Sequence, residues 1–235
     1  MKNQIVSLSI CVPAYNEEKC LKNTVEELIA NLEDSHIDFE ILIVDDGSTD
    51  STFKIAEGLK RIYPEIKLFH HDKNAGIGVC FRTALANSTK EYFTWFPADG
   101  ENAPQELVNC VKFVHENIAV TAHHLHQDPR VLSRKIISRF YTWVLNIRFN
   151  LRIKYYNGLT IFPTFVLKNL KLKCKGFGIF AESIIKTLHS GCKIVELSYP
   201  LRGRKKGKSK ALSIKSVLRT FQELIYITIV MPVEN

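Results

Sequence analysis

Residues 39–50 read Phe-Glu-Ile-Leu-Ile-Val-Asp-Asp-Gly-Ser-Thr-Asp. The stretch 39–44 is a near-continuous apolar run rather than an alternating one, the pattern of a strand buried on both faces of a parallel sheet. The acidic turn at 45–50 ends it, and residues 51–61 follow with helical spacing, capped by Asp50 or Ser51. The same alternation extends in both directions. Upstream lie a β-rich run at 7–12 and a helical pattern at 18–32 through Leu21, Val25, Leu28, Ile29 and Leu32. Downstream come a strand at 66–70, a helix at 77–86 and a strand at 92–96. Strands separated by single helices imply a right-handed βαβ array, hence an α/β fold around a mostly parallel sheet.

Ligands of such sheets sit outside the carboxyl ends of the strands. The residues that leave each strand are Pro13-Ala14-Tyr15-Asn16-Glu17, Asp45-Asp46-Gly47-Ser48, Asp72-Lys73-Asn74 and Pro97-Ala98-Asp99-Gly100-Glu101. Acidic groups gather along one sheet edge, where they repel one another unless a cation or a hydroxyl-rich ligand holds them. Asn74-Ala75-Gly76-Ile77-Gly78 is a poor dinucleotide fingerprint, because it follows the third strand and Phe81 stands where a third glycine belongs.

The chain has 235 residues and 46% apolar content, enough for one large domain with a core independent of disulfides or structural metal. Lys and Arg outnumber Asp and Glu by 32 to 24, a net charge of +8 that favours an anionic partner: nucleic acid, a phosphorylated small molecule or a membrane surface. The six cysteines are scattered without a C-x-x-C pair, as expected of reduced, mostly buried thiols in a cytosolic protein. Residues 5–14 run directly into Tyr-Asn-Glu-Glu, which suits an internal strand better than a signal-peptide core. The apolar stretch 224–233 is about half the ~20 residues that a membrane span needs.

The second half is more basic. Helical patterns cover 133–149, 179–189 and 214–229, a strand fits 193–199, and 123–129 reads as a polar loop. His123-His124-Leu125-His126 lacks a fourth ligand at metal-site spacing and fits a polar loop better than a metal centre. Nine residues, Arg202–Lys210, carry six cations, and the basic charge lacks the interleaved aromatics of a nucleic-acid interface, so no nucleic-acid partner is expected.

The segments SICVPAYNEEKCLKNTVEEL (9–28), FEILIVDDGSTDSTFKIAE (39–57), HHDKNAGIGVCFRTAL (70–85) and YFTWFPADGENAPQEL (92–107) together resemble the family 2 glycosyltransferases of the GT-A fold. GFGIFAESIIKTLHSGCKIVELSYPLRGRKKGKSK (176–210) extends the resemblance to the polyprenyl-phosphate mannosyl- and glucosyltransferase branch, with its closing R-x-x-G-x-S-K pattern. This implies a catalytic domain over 1–211 and an amphipathic C-terminal helix over 212–235. That helix either belongs to the same domain or touches a membrane surface.

The resemblance also implies a reaction: inverting transfer of a hexose from a UDP- or GDP-linked sugar to a polyprenyl phosphate, with Mg²⁺ or Mn²⁺. The setting would be the cytoplasmic face of a membrane, with the protein peripheral on an anionic surface. A soluble glycan or protein hydroxyl as acceptor, or nucleotide-sugar binding without turnover, are the alternatives. Self-association as a homodimer stays open.

Donor contacts are expected from Pro13, Ala14, Tyr15, Asn16, Glu17, Asp45, Asp46, Asn74, Gly76, Ala98 and Asp99. The family's D-x-D metal motif is incomplete, since Pro97 replaces its first acid. Asp99 and Glu101 are therefore expected to share the metal, with Asp99 catalytic. Arg204, named as catalytic, or Lys208 is expected to pair with donor or acceptor phosphate, and Glu182 to act as base, substrate positioner or helix cap. Arg134, Lys135, Arg202, Arg204, Lys208 and Ser209 are expected near donor or acceptor phosphate.

Overall fold

The computed structural model describes residues 6–124, 132–199 and 214–231. Its elements run β1 (Ser7–Ala14), α1 (Leu21–Asp34), β2 (Asp38–Asp45), α2 (Thr52–Ile62), β3 (Ile66–His70), α3 (Ile77–Asn87), β4 (Tyr92–Trp95) and α4 (Pro104–Val111). The chain continues through β5 (Ile118–His124), α5 (Leu132–Phe149), β6 (Thr160–Pro163), α6 (Thr164–Asn169), α7 (Gly178–His189), β7 (Lys193–Tyr199) and α8 (Ile214–Ile225). A single π-helical turn, Tyr226–Val230, extends α8.

Seven strands form one sheet in the order β3-β2-β1-β4-β6-β5-β7. Neighbours pair in parallel except across β6, which is antiparallel to both β4 and β5. The fold is α/β and Rossmann-like, with a mostly parallel central sheet flanked by helices.

Period-two alternation along the strands divides the core into two layers. Leu8, Ile10, Val12 and Ala14 of β1 pack with Ile41 and Ile43 of β2 beneath α1, α2 and α4. Cys11, Leu42 and Val44 face the other way, against α3, α5 and α7. There Trp95 stacks on Phe180 with ring centroids 4.1 Å apart, and Phe81 meets Phe93 edge-on at 5.0 Å. Glu40, buried within β2, accepts hydrogen bonds from Ser9 Oγ (2.6 Å) and Thr89 N (2.6 Å) and pairs with Lys67 Nζ (2.6 Å). Five of the six thiols are buried; only Cys20, just ahead of α1, reaches solvent.

Several sequence expectations are corrected here. His123 and His124 end strand β5 rather than sitting in the 123–129 loop, and His123 Nε2 lies 2.7 Å from Ser198 Oγ on β7. Residues 18–20 form a turn before α1, with Cys20 N donating to the carbonyl of Glu17. The short elements α4, β6 and α6 lay outside the helix and strand patterns read from the sequence. Ser51 occupies the N-cap position of α2 without a side-chain bond, and Asp50 supplies the acceptor instead, its Oδ1 accepting from Thr52 N at 3.0 Å.

Candidate active site

The chain moves outward from β1 through β2 to β3, then returns to β4 on the other side of β1. The strand order reverses between β1 and β4, and this is where a doubly wound sheet opens its crevice. The carboxyl ends of β1, β2 and β4 therefore bring Pro13–Glu17, Asp45–Ser48 and Pro97–Glu101 to one rim.

These loops are tied together by main-chain donors and side-chain acceptors. Asn16, at φ 51°, donates its N–H to Ser48 Oγ (2.9 Å) and accepts from Thr49 N through Oδ1 (2.7 Å). Glu17 N donates to Thr52 Oγ1 (2.8 Å), and Glu18 Oε2 accepts from Ser51 N (3.1 Å). The Asn16 side chain thus holds the rim in shape, while Pro13, Tyr15 and Glu17 remain half-buried beside it.

The two aspartates after β2 have different surroundings. Asp45 is completely buried. Its Oδ2 accepts from Ser48 N (3.3 Å) and lies 2.8 Å from His70 Nδ1, whereas its Oδ1 is buried with no hydrogen-bond partner among the described residues. A buried carboxylate oxygen left unmatched costs about 1–3 kcal/mol, so it is an acceptor suited to an incoming N–H or O–H.

Asp46, by contrast, is saturated. Its Oδ1 accepts from Ala75 N (3.0 Å) and lies 2.8 Å from His71 Nδ1, and its Oδ2 accepts from Gly76 N (2.8 Å). It anchors the 72–76 loop, leaving Asn74 exposed. Gly47 permits the approach: it sits at φ +69°, and a methyl group there would lie 2.6 Å from the Lys73 carbonyl carbon.

Ligand atoms of Asp46, His71 and Cys80 fall within 4.8 Å of one another, close enough to hold an ion. The Asp46 carboxylate of this cluster is already engaged by the Ala75 and Gly76 amides.

Asp99 follows β4, half-buried, with Oδ1 accepting from Glu101 N at 3.1 Å. Gly100 between them, at φ +73°, lets the turn bring the two carboxylates onto one loop. Ala98 is buried, its carbonyl fixed by Thr24 Oγ1 at 3.2 Å. Oxygen donors from two acidic residues within one turn fit Mg²⁺ or Mn²⁺, which complete their shells with phosphates and water. Pro97 contributes no side-chain ligand.

Residues 173–178 pack against the turn at 76–78, with Gly78 N donating to the Lys175 carbonyl at 2.8 Å. Glu182, fully buried on α7, accepts from Lys173 N (2.9 Å) and Cys174 N (2.8 Å) and pairs with Lys186 Nζ (2.6 Å). Its oxygens are committed to holding this loop. The Tyr226 hydroxyl lies 3.5 Å from Glu182, and burial followed by that carboxylate pushes it up to about 12. Burial, then Lys154, lowers the pKa of His123 on β5.

Of the residues expected near phosphate, Lys135 lies half-buried on α5. Arg202, Arg204, Lys208, Ser209 and the Arg134 side chain fall outside the described residues. Sequence reading missed His70, His71 and Glu223. The two histidines lie at the end of β3 and just past it, one register before the loop singled out, so their signal was there to find. Glu223 lies 45–48 residues from its partners, and nothing local marks it.

The family model for glycosyl transferase family 2 matches residues 9–171. The chain is 25% identical over 231 residues to a dolichol-phosphate mannosyltransferase of Pyrococcus furiosus, covering 94% of this chain and 64% of that protein. It is 31% identical over 118 residues to a UDP-N-acetylglucosamine–dolichyl-phosphate N-acetylglucosaminyltransferase of Methanococcus voltae, covering 44% of this chain and 45% of that protein. The chain thus spans less than two thirds of the length of these curated relatives.

Among solved structures, glucosyl-3-phosphoglycerate synthase of Mycobacterium tuberculosis in complex with Mg²⁺ and uridine diphosphate superimposes with a TM-score of 0.72 at 18% identity. The match covers 97% of this chain and 80% of that one. It is a likeness of fold.

Proposed function

The chain belongs to glycosyl transferase family 2, and from that premise we propose that it transfers a hexose, with inversion, from a nucleotide-diphosphate sugar to a polyprenyl phosphate at a membrane surface. The observation that carries this reading is the rim at the strand-order reversal. It joins a buried Asp45 oxygen in need of a donor to a turn bearing Asp99 and Glu101.

In this reading Asp45 Oδ1 accepts from the base or ribose of the donor. Tyr15 lies against the base, and Pro13, Ala14, Glu17 and Ala98 line the pocket. Asn16 and Asp46 shape it, and Asn74 and Gly76 close its far side. Asp99 and Glu101 would hold Mg²⁺ or Mn²⁺, which supplies positive charge to the departing diphosphate. Arg204, with Arg202 and Lys208, offers cations to the same oxygens, and Arg is able to do so through a bidentate fork. Arg134, Lys135 and Ser209 receive the acceptor phosphate. That phosphate is already ionised, so no base is required, in keeping with a Glu182 whose oxygens are committed to Lys173, Cys174 and Lys186. Catalysis then consists of in-line positioning plus charge stabilisation.

A lipid acceptor is supported by two helices with outward apolar faces. On α5, Ile136, Ile137, Phe140, Trp143 and Ile147 are exposed; on α8 and its π turn, Leu218, Phe221, Ile225 and Ile229 are exposed. Arg148 Nε donates to the Thr228 carbonyl at 2.6 Å, joining the two elements. No helix among the described residues is long and apolar enough to cross a membrane. The protein would lie on the cytoplasmic face, docking these apolar side chains against anionic lipid. The GT-A domain over 1–211 and the 212–235 helix would act as one unit.

The test supplies purified protein with UDP- or GDP-sugars, Mg²⁺ or Mn²⁺ and a short polyprenyl phosphate, with soluble hydroxyl acceptors in parallel. Release of the nucleoside diphosphate dependent on polyprenyl phosphate, lost in Asp99→Asn, is expected. Turnover only with soluble hydroxyls, or none with any donor, refutes the reading.

A further inference from the structure

We propose that Glu223 is a positioning residue for the donor nucleotide, through which the seating of α8 sets the shape of the donor loop. The inference rests on the donor-binding role given above to the Asp46-held loop.

Helix α8 buries Leu224 against the core, yet it also leaves apolar side chains outside and turns a carboxylate inward. Leu218, Phe221 and Ile225 face solvent, while Arg219 and the buried Glu223 face the protein. Glu223 Oε1 accepts from Lys175 N (2.8 Å) and Gly176 N, and Oε2 accepts from Gly178 N (2.9 Å). One carboxylate thus takes up three main-chain donors just before and at the start of α7, where the helix dipole also favours negative charge.

The clamped segment connects directly to the donor loop. The Lys175 carbonyl accepts from Gly78 N at 2.8 Å, and Arg82 donates to the Cys174 carbonyl. Arg219, one turn before Glu223, reaches the Ala75 carbonyl at 3.5 Å. The amides of Ala75 and Gly76 then close on Asp46. No slack exists along this path. Gly76 sits at φ +107°, and a methyl group there would collide with the Lys175 carbonyl and the Arg219 guanidinium. A shift of α8 therefore moves residues 175–178, and they move the 75–78 turn that Asp46 holds against the crevice.

The test compares wild type with Glu223→Gln, which keeps the side chain's shape but places an NH₂ against one main-chain N–H. Glu40→Gln serves as control, because it removes a buried carboxylate far from this path. With UDP and GDP as probes in Mn²⁺, the dissociation constant by calorimetry is expected to rise about tenfold in Glu223→Gln and to stay within twofold in Glu40→Gln. In turnover, KM for the sugar nucleotide rises while kcat changes less than about threefold. A residue that only stabilises the fold would lower the melting temperature of both variants and move neither constant.

Should Glu223→Gln fail to fold, amide exchange on the wild type decides: bound nucleotide should slow exchange at residues 175, 176 and 178. Unchanged exchange there, or nucleotide affinity within twofold of wild type in Glu223→Gln, overturns the proposal while leaving the donor site intact. Absence of nucleotide binding by the wild type removes the donor-site reading and this inference with it.

Discussion

Gly47→Ala offers a direct probe of the rim, because both terms of its cost are visible. The residue sits at φ +69°, where a side chain costs roughly 1–2 kcal/mol. The new methyl would stand 2.6 Å from the Lys73 carbonyl carbon, 2.7 Å from Lys73 Cα and 2.8 Å from Asn74 N. All three are main-chain atoms, so the clash cannot be relieved by a rotamer change, and overpacking of this kind costs about 1–3 kcal/mol. The sum is about 3 kcal/mol, which for a chain of this size lowers the melting temperature by roughly 6–12 °C. Moving Lys73 and Asn74 also displaces Ala75 and Gly76 from the Asp46 carboxylate, so affinity for UDP or GDP should fall with stability. Thermal melts of the purified variant, with and without nucleotide, measure both quantities. A melting temperature within about 1 °C of wild type would show that the 45–48 and 72–76 loops are not packed as described.

Gly58→Ala is the converse case. Gly58 lies inside α2 with open space around it, so the variant should gain about 0.5–1 kcal/mol and melt slightly higher. Glu182→Gln should destabilise by about 3 kcal/mol in urea titration, since it leaves the Lys186 ammonium uncompensated in a largely buried site. Burial pushes the Glu40 carboxyl up, but Lys67 and Ser9 outweigh it and hold the group below 4.5. Its contribution is therefore full above pH 4.5 and lost as pH falls through the folded-state value, so Lys67→Met should flatten the acid limb of the stability profile. Replacing Trp143 and Phe221 with Ser should weaken sedimentation with anionic vesicles by tenfold or more without changing the melting temperature, since each side chain would otherwise bury up to about 1.5–3 kcal/mol of apolar surface. Undiminished vesicle binding would place the lipid contact elsewhere.

The first half of the fold was legible because its signals are local. The run at 39–44 and the polar loops after β1, β2 and β4 are contiguous in sequence, and the sheet edge gathers them in order. Strand β6 escaped notice for a physical reason. It has four residues, all buried, and its Thr160 is satisfied by Thr121 Oγ1 at 2.8 Å rather than by solvent, so it shows no alternation. β5 was missed because His123 and His124 read as polar loop, yet Ser198 on the neighbouring strand accommodates one of them.

Within the site, the family resemblance implied the same donor-binding role for Asp45 and Asp46. Only the structure separates the saturated carboxylate from the one with an open oxygen. Glu182 was singled out but its role as a clamp on the 173–174 amides was not, and Glu223 lay beyond sequence reasoning altogether. Their partners are amides of residues 173–178, and main-chain donors leave no trace in residue identity.

The burial of five of the six thiols has a practical consequence for following this molecule in solution. A maleimide fluorophore should attach at Cys20 alone, three residues past Glu17 at the mouth of the crevice, while Cys11, Cys80, Cys110, Cys174 and Cys192 stay shielded in the core. The native chain therefore carries its own attachment point for an optical reporter of ligand arrival, with no cysteine needing to be engineered in or out.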